Sequence, residues 1–283
     1  MPHSDEVSPV VHGFPHLDTV RTAITALYRR LSPDGVHRYE LSLPASDVLF
    51  DASDGLHLGA QRVARALVRQ LRLPEARMVV SFRAMEHAAA VELGAGPEYF
   101  VELNERFARP EHRRDIGAAL AHEITHVLLH RLGLALPTTA ENEILTDVVT
   151  SYLGAGWLLL DAFRQDGMSS QKLGYLTPEE FGYVLAKRAE VFHEDPSPWF
   201  TSAVAYEAWV RGRERAALDR RRPPLAGAGW AARRRARAAG ADVFPCPVCA
   251  QRLRLPREAS GRPVSGRVRL RCGVCATVLE CAP

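Results

Sequence analysis

Two histidines one helical turn apart sit inside a long apolar run, and that placement constrains the fold more than any other feature. The run reads Leu120-Ala121-His122-Glu123-Ile124-Thr125-His126-Val127-Leu128-Leu129. Spacing of i, i+4 puts His122 and His126 on one helical face. Leu120, Ile124, Val127 and Leu128 make the same helix a buried one. A carboxylate and two imidazoles inside such a helix are costly unless they are paired or bound to a metal. The fold must therefore bring a partner to this face. Sixteen positions after His126 begins a second string, Asn142-Glu143-Ile144-Leu145-Thr146-Asp147, on its own apolar helix expected over roughly 141–163.

These residue types fit a catalytic zinc centre. Such a centre takes three protein ligands and keeps a fourth position for water. His122, His126 and Glu143 supply the three. Glu123, one residue round the helix, can reach the water with its carboxylate. Asp147, one turn beyond Glu143, is placed to hold a ligand imidazole from behind. His130 lies one turn past His126, but three ligands along one straight helix cannot surround an ion tetrahedrally, so it reads as a structural or surface histidine.

His122-Glu123-x-x-His126 followed by Asn142-Glu143-x-x-x-Asp147 resembles the gluzincin branch of zinc metallopeptidases, the minimal thermolysin-like group. The resemblance covers roughly residues 75–165. It implies an α+β zincin-like domain of a small sheet plus helices, with an active-site helix and a glutamate helix. It also implies a bond from Asp147 to His122, and peptide hydrolysis with Glu123 as general base. A further donor for the developing oxyanion is expected, with Tyr175, Tyr183, His193 and Tyr206 as candidates. The metzincin pattern does not fit, because Leu132 stands where its third histidine would be. The competing reading is a non-catalytic regulatory protein, associated with peptide or nucleic acid, that uses this domain for binding.

With 283 residues, the chain has room for one good core and a small module. The first residues, Met1-Pro2-His3-Ser4-Asp5-Glu6, lack a basic stretch followed by an apolar one, and no run of about 18 apolar residues follows. A cytoplasmic protein with reduced thiols and no membrane partner is the expectation. The net charge of +3 hides a split: residues 211–283 hold 17 Arg, no Lys and 5 acidic residues, so the rest of the chain is acidic. Front and tail therefore differ in the partners they suit.

Along the chain, residues 1–16 lack periodicity and are expected to be loose. Helical spacing predicts a helix over 17–31, ended by Ser32-Pro33-Asp34-Gly35. Residues 39–50 look extended. Asp54 is a candidate cap for a helix to Leu71 with Leu58, Val63, Leu67 and Val68 inward. Strands are expected over 78–82 and 98–104. The second is a candidate sheet edge for pairing with an extended peptide. Pro110 or Asp115 opens the first motif helix and Gly133 closes it. Thr177-Pro178-x-Glu180 starts another helix, to about Val191. After a break at 193–196, a further helix runs through Arg211 or beyond. The metallopeptidase domain is thus read as 17–218, with an Arg-rich linker over 219–241.

All five cysteines lie after residue 245. Cys246-x-x-Cys249 and Cys272-x-x-Cys275 are the usual thiolate cage for a structural zinc, and the pattern resembles the zinc-ribbon family over 242–283. The segments 253–256 and 268–271 are expected to pair as one hairpin. Cys281 is spare. Two zinc ions, one catalytic and one structural, are the expected cofactors. A peptide or protein is the expected substrate. The linker and ribbon offer a basic surface for a protein or nucleic-acid partner.

Overall fold

The computed structural model describes residues 11–49, 55–94, 96–165, 170–171, 173–220, 222, 224–225, 243–255, 268–275 and 277–281. Helices cover one face of a small mixed sheet, whose other face, with Val79 and Phe100, is exposed, an α+β arrangement. Helix α1 spans Leu17–His37, α2 Leu56–Gln70, α3 Ile116–Leu132, α4 Thr139–Thr150, α5 Gly156–Asp161, α6 Pro178–Phe192 and α7 Ala203–Asp219. The sheet is built from β1 (Arg77–Arg83), β2 (Ala89–Val91) and β3 (Glu98–Asn104) in the order β1-β3-β2. β1 runs parallel to β3, and β2 antiparallel. Two two-residue strands, β4 (Arg164–Gln165) and β5 (Ser170–Gln171), form a separate pair.

Helix α3 lies at the centre, buried on all sides from Ile116 to Thr125. Its apolar composition follows from that position, since a helix without a solvent face has no amphipathic stripe. Tyr99, Val101 and Leu103 of β3 and Met78 and Val80 of β1 point into the same core. A 3-10 turn over Pro110–Asp115 leads into α3, and Gly133 in the left-handed region ends it. Helix α4 begins with a capping box of Thr138 and Glu141. Thr125 of α3 and Thr150 of α4 meet through their hydroxyls at 2.8 Å in the core, which fixes the two helices in register. Past α4 the chain makes a π-helical turn over Ser151–Ala155 before α5.

Helix α6 also opens on a capping box, Thr177 with Glu180, and Pro178 stands in its first turn. It packs against α7 with almost no side chain between them. A Cβ on Gly182 would lie 2.1 Å from the Ala208 carbonyl oxygen, and one on Gly212 would lie 2.1 Å from the carbonyl carbon of Gly182. Helices at this crossing touch backbone to backbone.

Several expectations need correction. Ser32, at φ 63° and ψ 165°, kinks α1 without ending it, and Pro33 restarts the helix to His37. Residues 39–49 form no strand; they hold a 3-10 turn over Ala45–Asp47. Phe50 and Asp54 lie outside the described residues, and Gly55 occupies the N-cap of α2. Val63 and Leu67 are buried as expected, but Leu58 is 74% exposed. Residues 11–16 are tied down: the backbone N–H and Nδ1 of His16 both meet the buried Glu180 carboxylate, and Thr177 donates to the Gly13 carbonyl. Residues 1–10 lie outside the described residues. Asp219, expected to open the linker, is the buried last residue of α7, where it accepts from Arg21 and from Tyr183. Most of the linker also lies outside the described residues.

The cysteine-rich tail forms two local hairpins instead of one long-range one. β6 (Val243–Pro245) pairs with β7 (Arg252–Arg254), and β8 (Val268–Arg271) with β9 (Val278–Cys281). Each Cys-x-x-Cys loop thus sits between the strands of its own hairpin. Leu255 and Leu279 pack between the hairpins, with Leu253 and Leu270 beside them. None of the described helices is long and apolar enough to cross a membrane.

Candidate metal centres

Three atoms from α3 and α4 converge. His122 Nε2 lies 3.1 Å from Glu143 Oε2 and 3.1 Å from His126 Nε2, and His126 Nε2 lies 3.4 Å from Glu143 Oε2. Tetrahedral coordination with bonds of about 2.0–2.1 Å has edges of about 3.3–3.4 Å between ligand atoms. The triangle therefore has the size that a metal ion needs.

Hydrogen bonding at the other ring nitrogens points the same way. Asp147 Oδ1 accepts from His122 Nδ1 at 2.9 Å. Thr146 donates its hydroxyl proton to the Asn142 carbonyl at 2.9 Å, so its oxygen is left to accept from His126 Nδ1 at 3.3 Å. Both neutral imidazoles then carry their proton on Nδ1. Two lone pairs and a carboxylate oxygen face one another across about 3 Å, an arrangement that calls for a cation at its centre.

The electrostatics agree. In the metal-free protein, burial disfavours a charged His122, but its bonds to Asp147 and Glu143 prevail and lift its pKa to about 10. The hydrogen bonds from His122 and His126 hold Glu143 down to about 2. A proton on His122 thus takes the central place when no metal does. Burial raises the Glu123 carboxyl above the usual carboxylate range, opposed by the two imidazoles. A carboxyl lifted in this way is suited to taking up and returning a proton.

The placement of Glu143 follows from local sequence. Asn142 accepts from the backbone N–H of Leu136 and donates to the carbonyls of Leu136 and Thr138. It clamps the short loop between α3 and α4, so the next residue enters at a fixed angle to the histidines.

The site opens into a cavity of about 510 Å³. One wall is β2, from Ala89 to Val91, preceded by His87; the other is Leu173-Gly174-Tyr175. The Tyr175 ring stacks on His122 with centroids 6.2 Å apart and planes 26° apart. Burial and the Glu143 charge push its phenol pKa up. Of the four donor candidates, Tyr175 is the one on the cavity wall. Tyr183 is buried against Asp219, Tyr206 is exposed on α7, and His193 lines a different cavity between α6 and α7. His130 is exposed and apart from the site.

The candidate edge strand needs correction. β3 is the middle strand, paired on both sides, and the edge beside the site is β2. Glu92 N–H donates to the Phe100 carbonyl and Asn104 N–H to the Ala88 carbonyl, so the backbone groups of Ala89 and Val91 turn away from β3. The sequence reading missed both β2 and His87.

The second cluster joins Cys246, Cys249, Cys272 and Cys275, all buried and all free thiols. Sγ of Cys246 lies 3.7 Å from that of Cys275, and Sγ of Cys249 lies 3.6 Å from that of Cys272. A tetrahedral thiolate cage with bonds of about 2.3 Å has edges of about 3.8 Å, so these four could hold one ion. Burial lifts the Cys249 thiol to about 11 and Cys246 higher still. Cys281 lies in β9, and its side chain is outside the described ones.

Comparison of the chain with protein-family models, with curated proteins and with solved structures gives no match.

Proposed function

We propose that the chain is a zinc-dependent peptidase of the gluzincin kind, with a zincin-like domain and a C-terminal zinc ribbon. The observation that carries this reading is the convergence of His122, His126 and Glu143 beside a buried Glu123 in an open cavity. Zinc held by those three side chains would supply a Lewis acid that acidifies a water and polarises a carbonyl. Asp147 keeps the His122 proton on Nδ1 and so leaves Nε2 free as a ligand. Glu123 accepts one proton as a water oxygen bonds to the carbonyl carbon of a peptide. When the C–N bond breaks, Glu123 returns that proton to the departing amine nitrogen. The Tyr175 hydroxyl, on the facing wall, donates to the oxygen on which charge develops. The outward backbone of Ala89 and Val91 pairs with an extended substrate.

Cleavage of a generic unfolded protein tests this reading. It should depend on zinc, stop with a chelator and fail in Glu123→Gln although that variant still binds metal. Full turnover by Glu123→Gln would remove its base role. Zinc-loaded wild type that cleaves nothing would leave the non-catalytic binding reading in its place.

For the ribbon we infer a targeting role toward an anionic partner, with nucleic acid as the first probe. Arg252, Arg254, Arg269 and Arg271 are exposed and alternate with inward Leu253, Leu255 and Leu270. Guanidinium groups pair with phosphate in a bidentate fork. Binding of the full chain to DNA across a salt series tests the role, and salt-insensitive or absent binding would remove nucleic acid as the partner.

A further inference from the structure

Asp147, fully buried, divides its carboxylate among three donors. Oδ1 accepts from His122 Nδ1. Oδ2 accepts from the backbone N–H of Tyr175 and, at 3.0 Å, from that of Leu176. The chain can approach so closely because residue 174 is glycine. Its φ is +95°, and a Cβ built there would lie 2.7 Å from both Asp147 oxygens. The next residue, Tyr175, lays its ring over His122. The segment's far end is held as well, where Thr177 caps α6 and donates to Gly13.

We propose that Gly174–Leu176 is a positioning strap, locked through Asp147 to the tautomer of His122, and that Gly174 is the residue that lets it close. The inference rests on the peptidase reading for its kinetic consequence, but not for its geometry. Two backbone N–H groups and one imidazole N–H all need acceptors at a single buried side chain, and an ionised carboxylate supplies both oxygens. An asparagine at 147 has one oxygen. If that oxygen serves the strap, the amide N–H₂ faces His122 Nδ1 and drives the proton to Nε2, where it blocks metal binding. If it serves His122, the strap loses its acceptor. The orientation of the metal ligand and the place of Tyr175 are therefore one structural decision. Gly174 and Asp147 act through other groups, so both are positioning residues.

The test compares full-length wild type with Gly174→Ala, Asp147→Asn and Gly133→Ala. Gly133 has the same left-handed kind of backbone, φ +58°, with nothing within 4 Å of a built Cβ, and so controls for backbone strain alone. Cobalt(II) is the probe, and its visible spectrum is taken as a difference against His122→Ala so that the cysteine cluster cancels. Metal affinity is measured by chelator competition, and kcat and KM on an unfolded protein.

Gly174→Ala should alter the cobalt difference spectrum and lower kcat about 10–100-fold with KM little changed, the range for loss of a ligand's outer partner. Asp147→Asn should weaken metal affinity by a similar factor. Gly133→Ala should change neither. A wild-type spectrum and kcat in Gly174→Ala would overturn the strap, as would equal losses in Gly174→Ala and Gly133→Ala. If Gly174→Ala does not fold, the isosteric Asp147→Asn carries the test, and unchanged metal affinity there overturns the proposal. Wild type that binds cobalt but cleaves nothing ends the peptidase reading alone, and spectrum and affinity still judge the strap. Wild type that takes up no cobalt at His122 ends both.

Discussion

The two clusters of this chain that could hold a metal ion are built in opposite ways. The cysteine cluster draws its four atoms from two small hairpins, and all four residues are buried. The histidine cluster draws three atoms from two helices already fixed by a large core, and it faces a cavity. In the first, the hairpins meet through the four cysteines and a small leucine cluster; in the second, the three atoms stand on long helices of the main core. A closed cage leaves no coordination position for chemistry, whereas three ligands beside an open space leave one. The contrast teaches that whether the ligand atoms close on one another or face open space matters more than their number.

The sharpest way to break this contrast is to remove one candidate ligand from each cluster in turn. Cys272→Ser should abolish amide protection across 243–255 and 268–281 in hydrogen exchange while α3 and α4 stay protected. A structural zinc held by these four thiolates would contribute on the order of 10 kcal/mol to folding. Persistent protection in the variant would show that the hairpins stand without metal. At the other cluster, Glu143→Ala should remove one metal equivalent and leave the thermal unfolding of the main body nearly in place.

Glu123→Gln should lower turnover by about 10²–10⁴-fold, the usual contribution of a general base, at unchanged metal content. Tyr175→Phe should cost less, about 10²-fold in kcat, with metal affinity intact. Measured together, these two variants would separate the proposed proton carrier from the proposed facing donor.

The last test is a pH dependence. In the metal-free protein His122 has its pKa raised from 6.5 to about 10. Its pairing therefore stabilises the fold fully below about pH 6.5, and that contribution fades as pH rises toward 10. Metal competes for the same nitrogen, so affinity at this site should rise with pH over that window, by up to tenfold per pH unit. Chelator competition from pH 7 to 9 measures it, and a flat profile would mean that His122 carries no proton to displace.

Much of the site was legible because its parts are local. His122, Glu123 and His126 are set by helical spacing, and Glu143 and Asp147 by one turn of the next helix. Tyr175 was not separable from Tyr183 or Tyr206, since the difference lies in where α6 begins relative to Asp147. β2 escaped notice because Ala89-Ala90-Val91 is too short and too rich in alanine to signal a strand. The central position of β3 depends on strand order, which a single strand's pattern does not encode. In the tail the four cysteines were plain, but Val243–Pro245 is too brief to advertise its pairing with 252–254. His16 gave no hint of its bond to Glu180, because that contact crosses 164 positions of sequence.

The loop that Asn142 clamps has a consequence for assembly. Both ligand helices and the turn between them lie within residues 116–150, and closing so short a loop takes little entropy. During synthesis, at about 5–20 residues per second, this helical pair leaves the ribosome several seconds before Cys275 does. The nascent chain can therefore present its histidines and glutamate to a cation before the tail competes for one.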